Sequence, residues 1–241
     1  MLISHRKKFI FTKTVKTAGT SVESYFEPYC MPEGQWKKSH GRDEYVSDTG
    51  IIGYRGPNPV NGTWYNHMAA SEIRDLIGTD VWNQYFKFSV VRNPFDKLVS
   101  GFYMLVEGRR KKYTTKDWAK VYAKRLLKRA NPVEGVTGKS EIERFQNWIK
   151  LGGTIFDRDK YLIDGEICID YFIQFENLQS DIEEICKRLS IEMDEQSIPG
   201  FKKNIRNHRI PVCDYYDDET EKIVRQLYAW EFEKFDYKMP E

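Results

Sequence analysis

The sequence predicts an α/β fold, one domain with a parallel-rich central sheet flanked by helices, and three features support that expectation. An apolar run at Phe9 to Phe11 leads through a turn of small residues into Val22-Glu23-Ser24-Tyr25-Phe26, which opens a helix. A second run, Lys87 to Val91, leads through Arg92-Asn93-Pro94 into another helical pattern. Beyond it, helical patterns alternate with short strand-like runs, with no internal repeat and no low-complexity linker, the arrangement from which layered α/β sheets are built.

In chain order, Phe9 to Phe11 is read as a buried strand and Thr17-Ala18-Gly19-Thr20-Ser21 as the turn that follows it. Residues 30–66 are rich in Gly, Pro, Asn and aromatics without a sustained period, and read as a long loop region. Met68, Ile73 and Ile77 have helical spacing, and Gly78 stops that helix. After the strand at 87–91, Pro94 suits the first turn of a helix that buries Phe95, Leu98, Val99, Phe102 and Leu105. Tyr161 to Ile169 folds back on itself about Asp164-Gly165, a hairpin signal. Tyr171 to Phe175 is a further strand, and helices are expected near 177–189 and over 217–233, the latter with Ile223, Leu227 and Trp230 on one face.

At 241 residues, 40% hydrophobic and 31% charged, the chain has ample material for a core, and its net charge of +2 selects no partner. Cys30, Cys168, Cys186 and Cys213 are scattered without C-x-x-C spacing, which reads as reduced thiols, not a zinc site or disulfide scaffold. No run approaches the ~20 apolar residues of a membrane-spanning helix, and the N-terminal run is too short for a signal peptide. The expectation is a soluble, cytoplasmic protein that needs no metal.

The chemistry begins at Lys16-Thr17-Ala18-Gly19-Thr20-Ser21. Small side chains let backbone N–H groups converge on an anion at a helix N-terminus, and Thr20 and Ser21 add hydroxyls. Lys16 supplies a point charge beside them. A Walker A loop carries its lysine after the glycine; here Lys16 precedes Gly19, which weighs against a kinase or NTPase. A tight capped turn with a solvated Lys16 would use the same residue types.

The second phosphate element is Val91-Arg92-Asn93-Pro94-Phe95-Asp96-Lys97-Leu98-Val99-Ser100. Its strand delivers Arg92, able to make a bidentate phosphate pair, and its helix carries Ser100 eight residues later. Together the two segments resemble the PAPS-dependent sulfotransferases, in particular the carbohydrate sulfotransferase group of the heparan-sulfate 2-O-sulfotransferases and their bacterial relatives, where PAPS is 3′-phosphoadenosine-5′-phosphosulfate. In that family a K-T-[AG]-G-T-S turn binds the 5′-phosphosulfate, and V-R-[ND]-P-x-x-[RK]-L-V-S binds the 3′-phosphate through its Arg and Ser. The likeness extends to His67 before its helix, to Asp170–Leu178 (DYFIQFENL), to Lys203-Asn204 and to the C-terminal FEKFDY, with gaps at 30–60 and 106–138. Lys13 stands where the family usually has His, and Val15 where it has Pro.

The resemblance implies a central parallel sheet flanked by helices, in a layout like that of the P-loop kinases, with a basic helical insertion at about 106–138. It implies transfer of a sulfuryl group from PAPS to a hydroxyl of a carbohydrate acceptor, a polysaccharide or glycolipid. Lys16, Thr17, Ala18, Gly19, Thr20, Ser21, Arg92, Ser100, Lys203 and Asn204 would bind the nucleotide, with PAP as product. Lys16 would also stabilise the leaving phosphate and His67 would be the base; His40 is the runner-up, and a structural role for His67 is the bland alternative.

Residues 109–129 hold ten Lys or Arg against one Asp. This segment reads either as a surface that gathers an anionic polysaccharide, glycolipid or membrane, or as a solvated helix face; no nucleic-acid-binding fold is recognisable. The competing functions are a P-loop-like nucleotide kinase or NTPase, and a polyanion-binding module.

Overall fold

A computed structural model of the chain describes residues 1–56, 62–110, 136–193 and 210–241. The basic segment from residue 111 onward, and Lys203 and Asn204, lie outside the described residues. The chain divides into two compact units, Met1–Arg92 with Phe156–Phe201 and Asn93–Ile155 with Lys202–Glu241. The described strands are β1 (Leu2–Ser4), β2 (Phe9–Thr12), β3 (Tyr45–Ser47), β4 (Gly50–Ile52), β5 (Phe86–Val91), β6 (Leu162–Ile163), β7 (Glu166–Ile167) and β8 (Tyr171–Gln174). The described helices of more than one turn are α1 (Gly19–Phe26), α2 (Ala70–Ile77), α3 (Thr79–Gln84), α4 (Pro94–Phe102), α5 (Glu141–Lys150), α6 (Leu178–Arg188), α7 (Asp218–Leu227) and α8 (Ala229–Phe235).

The first unit holds a six-stranded sheet of order β3-β4-β1-β2-β5-β8. Strands β2, β5 and β8 are parallel, as the sequence predicts, and helix-bearing connections of the kind parallel strands need lie between them. The other half is antiparallel: β1 pairs with β2 and β4, and β3 with β4. The β3–β4 hairpin falls in the stretch read as a loop, because two strands of three residues are too short to show an alternation. The hairpin β6–β7 turns, as expected, on Asp164 and Gly165, both left-handed with φ 53 and 85.

Period-two alternation sorts the strand residues between two cores. Leu2, Phe9, Phe11, Ile52, Phe88, Val90 and Ile173 face one cluster with α1 and α6. Met1, Ile3, Ile10 and Ile51 face the other with Trp64, Met68, Ile73 and Trp82. Each such side chain removed from water contributes about 1.5–3 kcal/mol, and the central strands β1, β2, β4 and β5 are buried on both faces.

In the second unit α4 starts with Pro94 at its first turn, and the Asn93 side chain accepts from the Phe95 N–H at 3.1 Å. A π-helical turn, Tyr103–Glu107, continues it. Phe102, Tyr103, Phe145, Trp148 and Tyr215 form edge-to-face and tilted ring contacts, and the Tyr103 and Tyr215 hydroxyls are 2.6 Å apart. The single helix expected over 217–233 is broken into α7 and α8 at Tyr228, a non-helical residue with φ −109 and ψ 24. Its buried hydroxyl accepts from the Ile155 N–H at 3.0 Å and donates to the Ile155 carbonyl at 2.7 Å. Among the described residues no helix is long and apolar enough to cross a membrane.

Candidate active site

The three parallel strands end at one edge of the sheet, the edge at which α/β folds gather ligands. Register aligns Val91 with Gln174, so Arg92 and Phe175 lie one step beyond on neighbouring strands. The Arg92 guanidinium stacks 4.0 Å from the Phe175 ring centroid. Its Nη1 donates to the Lys16 carbonyl at 2.8 Å. The two motifs, 76 residues apart in sequence, therefore meet through one side chain.

The turn between β2 and α1 is built from inside. Thr14 and Thr17 are buried; their hydroxyls are 2.7 Å apart, and Thr14 also bonds the Val90 carbonyl. The Val15 N–H donates to Asp157 Oδ2 at 3.0 Å. Lys16 and Ala18 are left-handed, with φ 64 and 60, unusual for residues with a Cβ. The Ser21 and Val22 N–H groups bond the Ala18 carbonyl. Gly19 and Thr20, at the start of α1, have no intrahelical acceptor for theirs. Left-handed residues leading into a helix N-terminus concentrate N–H dipoles on one concavity, which suits a phosphate. Lys16, Ala18 and Thr20 are half-buried around it, and Thr17, Gly19 and Ser21 are buried.

Gly19 has a second role. A Cβ there would lie 3.0 Å from Lys13 Cγ and 3.2 Å from the Thr14 carbonyl oxygen, so the glycine clears a path for the Lys13 stem. Lys13 Nζ ends 2.6 Å from Glu23 Oε2, and both residues are buried. Glu23 also pairs with the Met1 ammonium at 2.8 Å and with Arg55 Nη1. Arg55 reaches Glu27 at 2.6 Å, and Glu27 accepts from Arg42 at 2.8 Å and from Trp36 Nε1 at 2.9 Å. Burial alone would raise the Glu23 carboxyl, but Lys13, the Met1 ammonium and Arg55 outweigh it and hold it below the usual carboxylate range. Burial pulls the Lys13 ammonium down against the attraction of Glu23.

His67 precedes α2 and is itself left-handed, φ 59. Its Nδ1 is 3.1 Å from the Lys13 carbonyl oxygen. A carbonyl only accepts, so this contact requires Nδ1 to carry the proton and leaves the lone pair on Nε2. Burial foremost, with the Lys13 and Met1 ammonium groups adding to it, pulls the imidazole down to about 4. The ring is therefore neutral, in its proton-accepting form, across the neutral range.

The turn residues, Arg92 and His67 are thus gathered around the ends of β2 and β5. Ser100 is half-buried on α4, in the second unit. His40 is exposed, and its carbonyl accepts from Arg55 Nε at 2.7 Å. Of the aromatic residues at 36–65, Trp64 is core and Trp36 and Tyr45 pack against core, while Tyr65 is exposed with its hydroxyl 2.6 Å from Glu72. Sequence reasoning missed Lys13, Glu23, Arg55, Asp157 and Phe175. The sequence marked Lys13 only by its place just after an apolar strand and by standing where the resembling family usually has His, without giving it a role.

A model of the sulfotransferase family matches residues 1–238. No curated protein and no solved structure matches the chain.

Proposed function

Since the chain belongs to the sulfotransferase family and is a sulfotransferase, we propose that it moves the sulfuryl group of PAPS onto a hydroxyl of a carbohydrate acceptor. The observation that most supports this reading is the hydrogen bond from Arg92 to the Lys16 carbonyl, which joins the two phosphate motifs at one edge of the sheet. The left-handed turn and the α1 N-terminus fit an anion: they offer converging N–H dipoles beside the Lys16 charge.

PAPS supplies the sulfuryl group and a phosphate leaving group. Lys16 and the N–H groups of Gly19 and Thr20 would stabilise charge on that phosphate. Arg92 would hold the 3′-phosphate with guanidinium donors that its Phe175 contact keeps in plane, favouring a 3′-phosphorylated nucleotide over ATP. His67 would accept the acceptor hydroxyl's proton at Nε2, the nitrogen that the Lys13 carbonyl leaves unprotonated. A carbohydrate acceptor, polysaccharide or glycolipid, follows the sequence resemblance, and its anionic character would suit the lysines and arginines of 109–129.

Calorimetric titration with PAP, ADP and ATP without metal tests the donor site. Micromolar PAP binding that Arg92→Ala weakens at least about tenfold, unmatched by ADP, supports the reading; equal preference for ATP overturns it. Radiolabelled PAPS offered with neutral and sulfated or carboxylated oligosaccharides then tests the acceptor class.

A further inference from the structure

We propose that Lys13, anchored by Glu23, is a positioning residue for His67, setting the tautomer of the ring through its main-chain carbonyl and keeping a positive charge beside it through its buried ammonium. This rests on the reading of His67 as the base. Lys13 touches the histidine through its main chain. Its carbonyl meets Nδ1 at 3.1 Å, and its side chain runs back over Gly19 to Glu23 Oε2 at 2.6 Å.

The anchor is a closed set of charges. Glu23 is fully buried and takes Lys13, the Met1 ammonium and Arg55 together, while Arg55 is held in turn by Glu27 and by the carbonyls of Ser39 and His40. With Nζ fixed at Glu23 and the stem packed against Gly19, the Lys13 side chain is held along its length, and its carbonyl lies 3.1 Å from the imidazole Nδ1. The charged groups acting on the ring are Lys13 and the Met1 ammonium, which oppose its protonation, and Glu23, which favours it, with Arg55 coupled to them through Glu23. Burial lowers the ring's affinity for a proton first and Lys13 second, to about 4. A base held neutral in this way is ready for a hydroxyl proton at any pH above that value.

The test is nitrogen-resolved NMR of His67 in the whole protein, with PAP bound and absent. In the unmodified protein a protonated Nδ1, a lone pair on Nε2 and titration near 4 are expected. The opposite tautomer, or titration at the ordinary value of about 6.5, overturns the inference without any variant. In Lys13→Met, which keeps the stem but removes the charge and leaves Glu23 paired with Arg55 and Met1, the His67 titration should rise toward 6.5 while the Nδ1-protonated tautomer persists. An unmoved titration in the folded variant overturns the inference. The two readings separate in the rate profile. If the acid limb of transfer moves with the NMR titration, both stand. If His67→Ala retains wild-type transfer while the NMR results hold, the base assignment falls and the Lys13 coupling survives.

Discussion

Arg92 donates a 2.8 Å hydrogen bond to the carbonyl of Lys16 while its guanidinium rests 4.0 Å above the Phe175 ring. One side chain therefore ties down the left-handed turn at Lys16, the residue proposed to supply its charge to the bound anion. A change at Arg92 should act on the nucleotide and on the turn together.

For Arg92→Ala, PAP affinity is expected to fall about 10- to 100-fold, the loss of a hydrogen bond to a charged group worth about 1.5–3 kcal/mol. Arg92→Lys should recover little, since an ammonium lacks the planar fork that stacks on Phe175 and reaches Lys16 at once. Calorimetry checks both, and full recovery by lysine would count against the stacked arrangement.

Lys16→Ala should lower turnover about 100- to 1,000-fold, the usual consequence of removing one group that stabilises developing charge, with an unchanged melting temperature. A drop in affinity with unchanged turnover would show that Lys16 binds ground state and transition state equally.

Glu23→Gln should destabilise the fold by about 3–5 kcal/mol, because it leaves the Lys13 and Met1 charges buried without their carboxylate. Denaturant unfolding measures this. A loss under 1 kcal/mol would mean that water reaches the cluster.

Gly19→Ala should cost about 1–3 kcal/mol by overpacking, since the new methyl lies 3.0 Å from Lys13 Cγ and 3.2 Å from a backbone oxygen. The backbone at Gly19 is ordinary helix, so the penalty comes from crowding and not from φ. The same variant should shift the His67 titration, which reports whether Lys13 has moved.

His67 has a folded pKa of about 4, below its unfolded value of about 6.5. Between those values the unfolded chain binds the extra proton, so His67 contributes stability that is full above about pH 6.5 and is lost as pH falls toward 4. Thermal melts across that window should decline less steeply in His67→Asn than in the unmodified protein. Transfer should stay level through neutral pH and fall only near 4; an acid limb at about 6.5 would contradict the buried, neutral ring.

What the sequence revealed was local. Lys16, Gly19 and Arg92 sit in short motifs whose spacing is itself the chemistry, and the strands at 9–11 and 87–91 are apolar runs that need no partner to be recognised. The Lys13–Glu23 pair was hidden because a buried lysine and a solvated one are spelled alike, and only the docking of α1 on β2 brings them together. Phe175 became a site residue through the β5–β8 register, a fact about two segments far apart in the chain. Strands β3 and β4 were invisible because three residues do not make a pattern.

The parallel strands carry a kinetic consequence. Phe9 pairs with Phe86 and Phe88 with Tyr171, contacts roughly eighty residues apart, and such distant closures are slow to form. The hairpins β1–β2, β3–β4 and β6–β7 can form early from neighbouring residues. The turn cannot: Thr14 bonds Val90 and Lys16 receives Arg92, so its shape waits for β5. In refolding followed by pulsed hydrogen exchange, the Val15 amide should gain protection after those of Leu2 and Phe11, which face each other across the β1–β2 hairpin, and if the turn is the nucleotide site as proposed, PAP would report the last step of folding.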